Sequence, residues 1–131
     1  GKLLRAFTTP DGRWRMPVEP EEIDPRYFDI LKAFEDRRFE DHGGVDPVGI
    51  ARAAYQAVRY QRLVSGGSTL TMQVARLLEG RHGKDAKGKF RQMVRALQLE
   101  DDLSKKEILR LYLRLAPFGG NIEGVRAATL A

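Results

Sequence analysis

Glu35 closes a run of apolar residues, Tyr27, Phe28, Ile30, Leu31 and Phe34, whose spacing predicts a helix opened by Asp24-Pro25. At about 100° per residue the carboxylate falls on the edge of that apolar arc, one turn beyond Leu31. Partial desolvation there would raise its pKa toward the range useful for a general base. The face argument leaves a second reading open, a rim carboxylate paired with Arg37 or Arg38. Asp36, Arg38 and Glu40 sit near the predicted helix end, where solvent is the ordinary expectation.

A second candidate is Ser65-Gly66-Gly67-Ser68-Thr69, which brings backbone N–H groups and hydroxyls to the start of another predicted helix. Such a terminus is a ready anion site, and the same residues also make an ordinary cap. The segment lacks the spacing of a nucleotide phosphate loop. Gln73 and Arg76 follow one turn apart and could hold polar substrate groups, whereas Met72 is expected to pack. His42 stands alone at a helix-to-loop junction, and His82 lies in a separate basic loop. With neither a second histidine nor carboxylates at ligand spacing, His42 is expected to fix the turn by hydrogen bonding, and no metal site is expected.

The net charge of +5 is concentrated in one segment. Between Gly66 and Arg95 stand Arg76, Arg81, Lys84, Lys87, Lys89, Arg91 and Arg95, against Glu79 and Asp85 alone. This asymmetry suits a polyanionic partner such as nucleic acid, anionic lipid or a diphosphate, with a solvated helix face as the plain alternative. Nucleic acid fits poorly, because Phe90 is the only aromatic among these cations and stacking needs several.

The elements that must hold these residues are mostly helical. At 131 residues and 42% hydrophobic content, residues 1–131 are expected to form a single domain. The sequence has no cysteine, no export signal and no uncharged apolar stretch of spanning length, so the piece is expected to be soluble by itself. Leu3 to Thr8 and Arg13 to Val18, around Pro10-Asp11-Gly12, predict a small N-terminal β-hairpin. Asp46-Pro47 repeats the Asp-Pro opening for a helix running to about Gln61, with Ala51, Ala54, Tyr55 and Val58 at helical spacing. A third helix is predicted from Thr69 to Glu79, capped by Ser68 and stopped by Gly80. A fourth spans Lys87 to Leu103, with Phe90, Met93, Val94 and Leu97 as its apolar stripe and Lys87, Arg91 and Arg95 on another face. Ser104 and Glu107 give a capping box for a helix from Lys105 to Leu113, and a last helical stretch is expected after Gly119-Gly120-Asn121.

Four blocks then align with a known pattern. Glu35-Asp36-x-x-Phe39-x-x-His42-x-Gly44-Val45-Asp46 resembles the first signature of the family 51 peptidoglycan glycosyltransferases, the transglycosylase domains of class A penicillin-binding proteins. Gly66-Gly67-Ser68-Thr69-Leu70-Thr71-Met72-Gln73 is similar to the second. Lys89-x-x-Gln92-x-x-x-Ala96-x-x-Leu99-Glu100 is similar to the third, and Lys105-x-x-Ile108-Leu109-x-x-Tyr112-Leu113 to the fourth. The wording Arg91-Gln92-Met93, with Ala116-Pro117-Phe118, resembles the penicillin-binding protein 1C branch of that family.

The resemblance implies an all-α, lysozyme-like domain of a bacterial inner-membrane enzyme facing the periplasm. The membrane anchor, any transpeptidase domain and the C-terminal end of the domain are then expected to lie outside these residues. It implies lipid II and the growing glycan chain as substrates, moenomycin-type inhibitors as ligands, and a membrane surface as partner. Glu35 would be the base that deprotonates the acceptor hydroxyl. Ser68, Thr69, Gln73, Arg76, Lys84, Lys89, Arg91 and Gln92 would bind substrate and its diphosphate, and Asp36, Phe39 and His42 would support them. No cofactor is required, although a Mg or Mn ion can accompany the diphosphate. Gln92 departs from the family's usual glutamate, Gly88 from a basic residue, and Arg110 and Arg114 from Glu and Asn. Two other readings stay open: a lysozyme-like glycan-cleaving enzyme and a catalytically weak lipid II-binding module.

Overall fold

A computed structural model describes residues 12, 14–15, 18–62, 66–80, 85–119 and 122–123. Five α-helices carry the described fold: α1 Pro25–Glu35, α2 Pro47–Tyr60, α3 Leu70–Leu78, α4 Ala86–Asp102 and α5 Lys105–Leu115. This is the mainly helical, lysozyme-like domain expected from the sequence. The first arm of the predicted hairpin lies outside the described residues. Part of its second arm, β1 Trp14–Arg15, pairs in parallel with β3 Ile122–Glu123, which pairs antiparallel with β2 Pro117–Gly119. The segment expected to begin a last helix therefore enters a small sheet, and residues 124–131 lie outside the description.

Local chemistry starts each helix. Asp24 accepts from Arg26 N at 2.9 Å and Asp46 from Val48 N at 3.1 Å, each with proline at the first helical position. Asp85 accepts from Gly88 N at 2.9 Å, and Ser104 and Glu107 complete the predicted capping box. Each cap is worth about 1 kcal/mol. Helix α3 differs from expectation: Thr69, not Ser68, is its cap, accepting from Met72 N at 3.1 Å.

Helix α3 is the centre of the domain. Leu70, Thr71, Met72, Val74 and Ala75 are all buried, and the helix packs chiefly against α4 and α5. Leu31 and Phe39 join Leu70, Val74, Ala75, Leu99 and Ile108 in the main core, while Val18 and Leu113 form a second cluster against Ile23, Tyr27 and Phe28. Three predicted faces are corrected. On α1 the buried arc is narrower than expected, since Ile30 and Phe34 are exposed. On α2 the spaced residues Ala51, Ala54, Tyr55 and Val58 all point outward. On α4 the stripe Phe90, Val94 and Leu97 is exposed, and Gln92, Ala96 and Leu99 form the buried face.

The α4 packing has a steric reason. Gly44 has φ +91°, and a Cβ built on it would lie 2.5 Å from the Ala96 carbonyl oxygen. Both the left-handed backbone and this close approach demand glycine. Gly44→Ala is expected to lower the unfolding free energy by about 3 kcal/mol, read from the denaturant midpoint at constant slope. A loss no larger than that of an ordinary surface substitution would contradict the steric account.

Candidate functional site

Glu35 is the last residue of α1, and its neighbour determines how the helix ends. The Asp36 backbone leaves helical geometry at φ −158°, ψ 78°, although its N–H still bonds Lys32 O. Its carboxylate turns into the interior and the residue is 6% exposed, which corrects the expectation of a solvated residue. There it accepts from Leu70 N at 2.9 Å and from His42 Nε2 at 2.9 and 3.0 Å. An ionised carboxylate only accepts, so the proton of that pair resides on Nε2. His42 thus fixes the turn, as its isolation suggested. Phe39 packs edge-on to the His42 ring, with centroids 6.3 Å apart.

With Asp36 turned inward, Glu35 turns outward. It is exposed, so the expected desolvation is absent from this arrangement. Its Oε2 accepts from Gln73 Nε2 at 2.8 Å, joining the end of α1 to the first turns of α3. One turn along α3, Arg76 faces Lys89 of α4, whose ammonium donates to Ser68 Oγ. Burial, then the Arg76 charge, lowers the Lys89 pKa from its usual range. Two tyrosines lie within the electrostatic reach of Glu35. Tyr112 is pushed up to about 12 by burial and then by the Glu35 charge, and Tyr27 is raised by the same two causes. Both phenols therefore stay neutral near physiological pH.

Glu35, Ser68 and Gln73 stand on the wall between two hollows. The smaller, about 210 Å³, is completed by Met72, Arg76, Lys89 and Gln92. The larger, about 540 Å³, opens on the other side toward Arg38, Asp46, Arg52 and Gln56, with the exposed Phe34 ring at its rim. Arg38 donates to Asp46 at 3.3 Å across its floor. Thr69 lines this larger hollow, but its hydroxyl is committed, donating to Gly44 O at 2.6 Å.

Most of the expected site residues meet here. Glu35, Ser68, Gln73, Arg76, Lys89 and Gln92 converge, and Asp36, Phe39 and His42 lie beneath them. Arg91 does not join them. It lines a separate depression with Lys87, Phe90, Val94 and Arg95 on the outer side of α4, because residues 89 and 91 are two steps apart on a helix. Lys84 and His82 lie outside the described residues. Arg52 and Gln56 were missed. They are one turn apart on α2, and their only sequence signal was the polar face opposite an apolar stripe read as buried. Among the described residues no three His, Cys, Asp or Glu side chains group as metal ligands. Arg110 and Arg114, which depart from the fourth signature, both pair with Glu19 and lie away from the site.

Comparison with known proteins identifies the family. A family model described as Transglycosylase matches residues 1–131. Penicillin-binding protein 1C of Escherichia coli (strain K12) is 55% identical over 131 residues, which is 100% of this chain and 17% of that protein. Penicillin-binding protein 1A of Haemophilus influenzae is 42% identical over 114 residues, 87% of this chain and 13% of the relative. Biosynthetic peptidoglycan transglycosylase of Thiobacillus denitrificans is 40% identical over 99 residues, 74% of this chain and 42% of the relative. The chain thus spans a minor part of each relative's length. With residues of three signatures meeting at one carboxylate and its cationic hollow, and a family model matching residues 1–131, the chain belongs to the transglycosylase family.

Proposed function

We propose that this chain is a peptidoglycan glycosyltransferase domain that polymerises lipid II into β-1,4-linked glycan, with Glu35 as general base. The observation that carries the reading is the position of Glu35 between two hollows, one of them cationic. A two-substrate transfer needs such a wall. The acceptor's GlcNAc 4-hydroxyl gives its proton to Glu35, and that oxygen attacks C1 of the MurNAc at the reducing end of the growing chain. The C1–O bond to undecaprenyl diphosphate breaks with inversion, and the bonding pair leaves on the diphosphate oxygen. Gln73 holds Oε2 and so aims the other carboxylate oxygen at the hydroxyl. Arg76 and Lys89 receive the leaving charge, with Gln92 and Ser68 as hydrogen-bonding partners. The step needs no cofactor; a Mg or Mn ion would be held mainly by the diphosphate oxygens themselves.

The lipid tails of both substrates call for a membrane surface, which we assign to the periplasmic face of the bacterial inner membrane. Helix α2 offers a matching face. Tyr55 and Val58, one turn apart, are both more than half exposed, Arg59 and Arg62 follow them, and no acidic residue occurs from Pro47 to Arg62. Aromatic and cationic residues of this kind favour the headgroup boundary. The same helix borders the larger hollow through Arg52 and Gln56, so a lipid-linked acceptor would enter beside the surface that carries it. No described helix is long and apolar enough to cross a membrane.

Three outcomes test this reading in the protein that carries the chain. Glu35→Gln is expected to reduce polymer formation from lipid II by about 10²-fold to 10⁴-fold while leaving lipid II binding within a few-fold. Wild-type turnover would remove Glu35 from its role, and soluble fragments released from purified cell walls, in place of polymer, would favour the glycan-cleaving reading.

Moenomycin, a phosphoglycolipid, is expected to raise the thermal midpoint and to bind less tightly as pH rises through the alkaline range, below that at which a free lysine deprotonates. The sign follows from Lys89: its lowered pKa means that the ammonium loses its proton earlier than a free lysine, and the anion loses a partner. Lys89→Arg should flatten that dependence, and an equally steep profile in the variant would contradict the assignment. Finally, Tyr55→Ser combined with Val58→Ser should weaken binding to anionic vesicles by about 10-fold without changing the fold. Unchanged vesicle binding would place the membrane contact elsewhere.

A further inference from the structure

A second polar network lies beneath the site, and the proposed reaction leaves it without a task. Lys105 begins α5, and its ammonium donates to the His42 carbonyl at 2.5 Å and to Glu100 Oε1 at 2.8 Å. It also stands 4.5 Å from the centroid of the Phe39 ring. The same Glu100 oxygen accepts from Thr71 Oγ1 at 2.6 Å. One lysine thus ties together the loop after α1, the first turn of α3, the end of α4 and the start of α5.

Helix energetics do not explain this lysine. A cation at the first position of a helix opposes the macrodipole, so Lys105 sits where α5 alone would disfavour it. Nor is the Lys105–Glu100 pair an obvious source of stability: its side chains are 25% and 9% exposed, and a largely buried ion pair gives back much of its attraction as desolvation. What the network does supply is register. On one side it holds His42, whose ring fixes Asp36 and hence the end of α1 that carries Glu35. On the other it holds Thr71, two residues before Gln73, which hydrogen-bonds Glu35. The two ends of the Glu35–Gln73 contact are both referred to a single ammonium.

We infer that Lys105, acting with Glu100, is a positioning residue for the transfer step: it sets the register between the helix bearing Glu35 and the helix bearing Gln73. The inference rests on the reading of Glu35 as base. Displacing a base by a fraction of an ångström slows chemistry far more than it weakens substrate binding.

The test measures lipid II polymerisation at a temperature below the thermal midpoint of every variant, so that unfolding does not contribute. Lys105→Met is expected to lower kcat at least about 10-fold with KM changed by less than about 2-fold. The double variant Lys105→Met with Glu100→Met replaces the ion pair by apolar side chains, and should recover the thermal midpoint but not kcat, because the His42 carbonyl stays unheld. If the double variant regains turnover together with its midpoint, or if Lys105→Met keeps wild-type kcat, the positioning role is wrong. Should Lys105→Met fail to fold, the turnover of the double variant decides alone. Glu35→Gln measured alongside separates the two claims: wild-type turnover there overturns the base itself, whereas its inactivity beside a fully active Lys105→Met overturns only the positioning role.

Discussion

The arrangement depends on a buried carboxylate. Asp36 is withdrawn from water, and burying an anion is costly unless hydrogen bonds replace its hydration. The replacements are His42 Nε2 and the backbone N–H of Leu70, one of the orphan donors that every helix start leaves. Satisfying Asp36 therefore brings three things to one point: the end of α1, the following loop and the start of the central helix. The positive end of the α3 dipole adds to the attraction. A local rule about unpaired donors becomes a long-range constraint, joining residues 34 apart in the chain.

This constraint divides two adjacent carboxylates between two tasks. Turning Asp36 inward ends α1 and turns Glu35 outward, to a wall between hollows, where Gln73 meets it. The anchor needs an enclosed environment and the proposed base needs an accessible one, and consecutive residues at a helix end can face opposite ways. Beneath them the Thr69 hydroxyl on Gly44 O and the Arg38–Asp46 pair keep the loop that carries His42 against the core. The site is thus assembled on helix termini, but every terminus is tied to another element.

What the sequence made legible follows the range of the forces involved. Helix starts were readable because Asp24-Pro25, Asp46-Pro47 and Ser104 with Glu107 act within three residues of themselves. The choice between Ser68 and Thr69 as the α3 cap was not, since both have the chemistry and the Lys89 contact that engages Ser68 comes from another helix. Helix faces were read less well. Tyr55 and Val58, or Phe90 and Val94, are apolar at helical spacing, but which stripe is buried depends on the neighbour, and α4 buries Ala96, whose backbone carbonyl closely approaches Gly44. The burial of Asp36 had no local signature at all; only its place in a signature distinguished it from Glu40, which is exposed. Arg91 was drawn into the site by the family resemblance, and simple helical geometry carries it to the far side of α4.

Gln92 shows where this chain's chemistry departs from its family's usual pattern. A glutamate there would set a negative charge in the same small hollow as Arg76 and Lys89, and would offset part of the field that they present to a diphosphate. The neutral amide adds no negative charge to the hollow beyond that of Glu35 on its wall. The mutual repulsion of the two cations is already expressed in Lys89, whose pKa is lowered by burial and then by Arg76. In the proposed reaction an incoming diphosphate would offset that repulsion and favour the protonated lysine, so the hollow would suit an occupied state better than an empty one. In the proposed reaction that bias acts on the leaving group, while proton transfer rests on Glu35 without a neighbouring carboxylate at position 92.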